Sequence, residues 1–201
     1  GWYDASEYFM FRVCETDVED VGGIQQSDPQ AYRNCKEWQN LTSDTIQLQD
    51  IYQVVYKANL SDMEKSFSGD KWASGNGFTH WLMNNDKALR DYLLLSKNNE
   101  DVRRQRNSRW YYPSMKTSGR MSLEQIADTA LARATGNLKH RYLLQAVRAL
   151  FTLRRYEECM QIWKRDMEPL PDENLMRSHI KPYIAGAMIR LGHREQALRY
   201  Y

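Results

Sequence analysis

No run of apolar residues in this chain approaches the roughly 20 that a helix needs to cross a bilayer. An excess of one charge is also missing: 28 basic residues against 26 acidic ones leave a formal net charge of +2. That balance gives no pull towards nucleic acid or an anionic membrane surface. Cysteine is scarce, and Cys14, Cys35 and Cys159 form no CxxC pair. An odd number without that spacing announces neither a zinc site nor a disulfide framework. A single Cys14–Cys35 bridge stays open for an oxidising compartment. Catalytic signatures are lacking as well, with no GxSxG, GxxxxGK[ST] or GxGxxG present. His80, His140, His179 and His193 show neither HExxH nor metal-ligand spacing. Residues 69–77 are glycine-rich, but they lack the terminal Lys-Ser/Thr and the strand–turn–helix frame that cradle phosphate. These absences lead us to expect no catalytic residue, no metal ligand and no cofactor, and hence no enzyme.

What is present is an ordinary folding composition, 42% hydrophobic and 27% charged. A chain of 201 residues can bury one large domain or a short array of stacked units. Aromatics are plentiful, with 6 Trp, 13 Tyr and 5 Phe. The chain opens Gly1-Trp2-Tyr3-Asp4, with neither an initiating methionine nor a charged-then-apolar leader. An export signal already removed would put the protein in the cell envelope or periplasm rather than the cytoplasm. Asn40-Leu41-Thr42 and Asn59-Leu60-Ser61 fit the glycosylation acceptor pattern, which is too short to carry weight.

The last third carries a repeat. Leu153-Arg154-Arg155-Tyr156 through Trp163 lines up with Leu191-Gly192-His193-Arg194 through Tyr201 at an offset of 38 residues. Each copy reads apolar residue, tight turn, charged pair, small residue (Cys159 or Ala197), then an aromatic four positions on. That is the turn and second helix of a helical hairpin. Ser122 and Gln125 form a capping box that starts a helix ending near Gly136. Tyr142, Ala146, Ala149, Leu150 and Leu153 make one apolar stripe at helical period. A partner helix runs from about Tyr156 to Arg165, before Pro169 and Pro171. Met176 through Leu191 forms a second stripe, which Pro182 must kink or begin.

Upstream, Asp28 and Pro29 open a helix reaching Gln39, and Ile51, Val54, Val55 and Ala58 give another. Ser61-Asp62-Met63-Glu64 reads as a capping box. Residues 66–77 read as a loop, followed by helices over 78–83 and 86–97. Residues 9–13 alone look extended. The expected organisation is an arm over 1–27, an irregular helical region over 28–120 and helix pairs over 121–201.

The helix pairs resemble the tetratricopeptide repeat family, whose unit ends in a Leu-Gly-x-Tyr-x-x-Ala-x-x-x-Tyr run followed by proline. Leu191-Gly192 and Ala197 carry the match, with Tyr156, Trp163 and Pro171 in the earlier copy. The offset exceeds the family's roughly 34 residues, Arg154 stands at the turn glycine, and Cys159 replaces the alanine. The resemblance spans about residues 138–201. It implies an all-α, right-handed solenoid of helical hairpins that binds proteins or peptides. Trp163 and Tyr201 should then be equivalent packing residues, Trp163 buried and Tyr201 less so. A solenoid stopping there lacks a polar cap, so a longer natural protein is expected.

A groove lined by first helices would draw its contacts from Gln145 and Arg148, which lie off the stripe of residues 142–153. Arg109, Trp110, Tyr111 and Tyr112 are a second candidate contact set. With Arg103, Arg104 and Arg106 they could grip phosphates and stack bases. Nearby Glu100 and Asp101 and the even charge balance favour a solvated helix end instead, so no nucleic-acid partner is expected. The same aromatics, with Trp72 and Trp81, could seat sugar rings. A glycan-binding helical protein of the bacterial cell envelope is therefore the alternative, or the repeat part of a longer enzyme.

Overall fold

A computed structural model describes residues 27–68, 75–108 and 120–200. Every regular element among the described residues is helical. The expected arm, with its extended residues 9–13, lies outside them, as do Cys14, Trp72 and Tyr201.

Helix α1 (Pro29–Leu41) starts as its sequence dictates. Asp28 accepts the Ala31 N–H at 2.9 Å, and Pro29 takes the first turn, where no backbone donor is needed. Helix α2 (Leu48–Tyr52) widens into a π turn, Gln53–Lys57, closed by Ala58 N–H donating to the Gln53 carbonyl at 2.8 Å. Helix α3 (Leu60–Phe67) begins earlier than the Ser61 box predicts. Asn59 is its cap and Asp62 returns the bond, which puts Leu60 and Met63 on the buried face. Helix α4 (Gly77–Asn85) is capped by Asn76. Helix α5 (Lys87–Ser108) runs 22 residues, well past the expected end at Lys97.

The chain divides into two compact units, Gly1–Leu94 and Leu95–Tyr201. The division falls inside α5. In the first unit Trp38 is the hub. Its indole meets Phe78 edge-on at 5.9 Å and Tyr92 at 5.6 Å. Asp50 ties α2 to the start of α4, its carbonyl accepting from Asn76 Nδ2 at 3.1 Å and its carboxylate from Gly77 N–H at 3.0 Å.

The second unit continues with α6 (Leu123–Arg133), α7 (Lys139–Thr152) and α8 (Tyr156–Ile162). Next come α9 (Leu175–Arg190) and the short α10 (Arg194–Ala197), which runs into a 3₁₀ turn. The capping box at Ser122 and Gln125 forms as expected. Helix α7 packs on α6, α8 and α9, and α9 also packs on α8 and α10. Pro182 lies inside α9 and does not begin it, because Asn174 caps the helix eight residues earlier in the chain.

The two hairpin turns repeat bond for bond. Arg155 N–H donates to the Leu150 carbonyl at 2.9 Å and Arg154 N–H to Phe151 at 3.0 Å. At the later turn His193 N–H donates to Met188 at 2.8 Å and Gly192 N–H to Ile189 at 3.1 Å. Both are Schellman closures, with Arg154 at φ 62° and Gly192 at φ 87°. Following the first turn, α8 buries Cys159 and Ile162 and then widens into a second π turn, Trp163–Met167. Trp163 is 0% exposed, as the repeat alignment requires. The Arg177 guanidinium lies 5.0 Å from its ring centre, and Tyr200 meets it edge-on at 5.6 Å.

Two outcomes follow for stability. Trp163→Ala should behave as a core truncation and cost about 3–5 kcal/mol in urea unfolding; a near-neutral result would contradict its packing role. Arg154→Gly should stabilise the chain by about 0.5–1 kcal/mol, because the steric cost of a left-handed arginine exceeds the entropy that glycine loses. A lowered unfolding midpoint for that variant would rule out this account of the turn.

Candidate functional site

Two places in the second unit gather polar side chains. The first is a layer across α5, α7 and α9. Asn99 Nδ2 donates to both the backbone carbonyl and Oε1 of Gln145, each at 3.0 Å. Gln145 Nε2 in turn donates to Ser96 Oγ at 3.3 Å. Arg103 Nε reaches Thr152 Oγ1 at 3.2 Å, and its Nη2 donates to the Tyr183 hydroxyl at 3.3 Å. Arg103 and Arg148 both lie against the Tyr183 ring, at 5.8 and 5.9 Å. Burial pushes the Tyr183 hydroxyl up, but the two guanidiniums outweigh it and hold its pKa below the usual tyrosine value.

This layer changes the reading of Gln145. The sequence offers it as a contact for an outside partner, yet it is 2% exposed and satisfied by Asn99 and Ser96 of the same chain. Arg148 is half-buried and engaged with Tyr183. The α5 residues responsible lie nearly 50 positions upstream, beyond the reach of any local pattern. Arg103, expected in a solvated helix end, is buried here too. Arg109, Trp110, Tyr111 and Tyr112 lie outside the described residues, and the aromatic surface they were expected to form lies outside with them.

The second place is a cleft of about 450 Å³, lined by Leu131 and Ala134, Lys139 and Leu143, and Arg165 and Asp166. These come from the end of α6, the first turns of α7 and the π turn that follows α8. Lys139 and Leu143, four apart, share one face of α7. Lys139 Nζ sits 3.2 Å from Asp166 Oδ1, and Arg165 Nε donates to Oδ2 at 2.7 Å. Burial pushes the Asp166 carboxyl up, but hydrogen bonds from Arg165 and Lys139 prevail and hold it below the ordinary aspartate range. Next door, burial and then the Lys139 charge lower the His140 pKa, with Asp166 opposing.

Sequence reasoning missed this cleft. A regular helix read through residues 156–165 gives no hint of the π turn that carries Arg165 and Asp166. Elsewhere, Cys159 is a packing residue: burial above all, with Glu158, pushes its thiol up to about 12. Its Sγ instead donates to the Val147 carbonyl at 3.7 Å. Among the described residues no group of three or more His, Cys, Asp or Glu side chains is placed to hold a metal ion. Comparison with protein families, characterised proteins and solved structures finds no match for this chain.

The bridged carboxylate carries a pH signature. A depressed carboxyl contributes stability that is fully present above the ordinary aspartate pKa and is lost as pH falls through its lower folded value. Asp166→Asn should therefore flatten the acid limb of the stability–pH curve between these two values while leaving the neutral-to-alkaline limb in place. Thermal melts across that range check it, and an unchanged acid limb would show that Asp166 is not held by the two cations.

Proposed function

We propose that the second unit is a non-enzymatic interaction scaffold, a short right-handed solenoid of tetratricopeptide-like hairpins that binds a protein or peptide segment. The observation that carries this reading is the repetition of the hairpin turn. Two Schellman closures 38 residues apart use the same donors and acceptors at equivalent positions, although one is built on glycine and the other on arginine. A shared turn geometry at corresponding positions is what a stacked helical repeat requires, and proteins of that architecture act through extended surfaces.

Gln145 is already bonded to Asn99 and Ser96, which supports a partner face elsewhere on the unit. The cleft beside Lys139 combines apolar walls with exposed charged tips, as recognition surfaces do. It is where the segment binds.

Peptide-display selection against the intact chain tests the reading. Convergent sequences should emerge and bind the purified protein saturably, as read by fluorescence anisotropy. A selection that returns no binder would count against a scaffold, as would enriched peptides that bind the heat-unfolded chain equally well.

A further inference from the structure

We infer that the cleft between α6, the start of α7 and the π turn after α8 recognises a peptide segment carrying an acidic side chain beside a large apolar one. This rests on the scaffold reading and names its ligand. Asp166 fixes the charge geometry. Its side chain is 9% exposed, and each of its two oxygens is already taken by one cation, Lys139 Nζ at 3.2 Å and Arg165 Nε at 2.7 Å. Two cations share one carboxylate, so the rim keeps a net positive charge. Both cations remain open to solvent, with side chains 42% and 67% exposed. Arg165 spends only its Nε on Asp166, leaving its Nη pair without an acceptor among the described residues. A planar guanidinium edge of that kind matches a second carboxylate.

The remaining walls define the rest of the ligand. Leu143 forms a buried floor, and Leu131 and Ala134 form an apolar side that reaches the surface. Leu131 is one of the few large hydrophobic side chains left exposed among the described residues. A leucine-sized side chain covers this surface, and a neighbouring carboxylate spans Lys139 and Arg165. A basic side chain would meet the two cations with Asp166 already committed. The local backbone gives a second reason to look here. The chain departs from α-helix at Trp163–Met167, where Glu168 N–H bonds back to the Trp163 carbonyl at 2.8 Å. Such π turns concentrate at functional sites. This one keeps Trp163 and Met167 fully buried while Arg165 stays on the surface.

Two pools of short synthetic peptides test the inference on the intact chain, one with a central Leu-Glu pair and one with Leu-Lys. Anisotropy measures affinity, and methyl NMR locates the site. The Leu-Glu pool should bind, with shifts at the methyls of Leu131, Ala134 and Leu143. Arg165→Gln and, separately, Leu131→Glu should weaken binding by at least about tenfold. Arg155→Gln, at the exposed hairpin turn, should leave it unchanged. Equal binding of the Leu-Lys pool would overturn the acidic preference, and shifts confined to other methyls would overturn the cleft as the binding place; in both cases the non-enzymatic scaffold of repeated hairpins stands. Binding by neither pool overturns the inference. If display selection also returns nothing, the scaffold reading falls with it.

Discussion

The spacing of α7 and α9 is set by the ring of Phe151 lying on the backbone of Gly186. A Cβ built on Gly186 would come within 3.0 and 3.1 Å of that ring, closer than most side chains allow without displacement. Glycine in a helix interior costs about 1 kcal/mol relative to alanine, and here the tight helix contact offsets that cost. The same ring then organises its neighbours. Tyr183 and Tyr156 meet it edge-on at 5.5 and 5.4 Å, and the Arg190 guanidinium lies 4.9 Å from its centre. Once α7 and α9 stand this close, Tyr183 is brought within reach of Arg103 and Arg148, and the polar layer with α5 becomes possible.

That layer bears directly on how the protein can act. The face of α7 that carries Gln145 is polar in sequence, and such a face on a first helix reads as a partner surface. Its hydrogen-bonding capacity is instead spent inside the molecule, because burying an amide without a partner costs about 1–3 kcal/mol and Asn99 removes that cost. Under the proposed scaffold reading, the surface left for recognition lies at the N-terminal end of α7. There Leu131 and Leu143 bring apolar surface to the cleft, and Asp166 gathers two cations at its edge.

Much of the helical layout was legible locally. Asp28 with Pro29 and Ser122 with Gln125 fixed helix starts, since a cap is satisfied within three residues of itself. The hairpin turns were legible from Leu153 and Leu191, even with Arg154 in a glycine's place, because the turn is closed by backbone bonds that span five residues. The Ser61 box was misplaced because Asn59 offers an equivalent cap and buries Leu60 better. The end of α5 was missed for a related reason: Arg103 reads as a surface residue until Thr152 and Tyr183 are seen to receive it.

By itself, then, the sequence determined the helical class, most helix starts, the repeated turn and the burial of Trp163. These depend on periodicity and on hydrogen bonds reaching only a few residues along the chain. Tertiary structure alone decided that Gln145 turns inward, that α5 joins the second unit from Leu95 onward, and that Lys139, Arg165 and Asp166 share one cleft. Those outcomes depend on contacts between residues more than 25 apart and on a π turn whose extra width no local pattern announces.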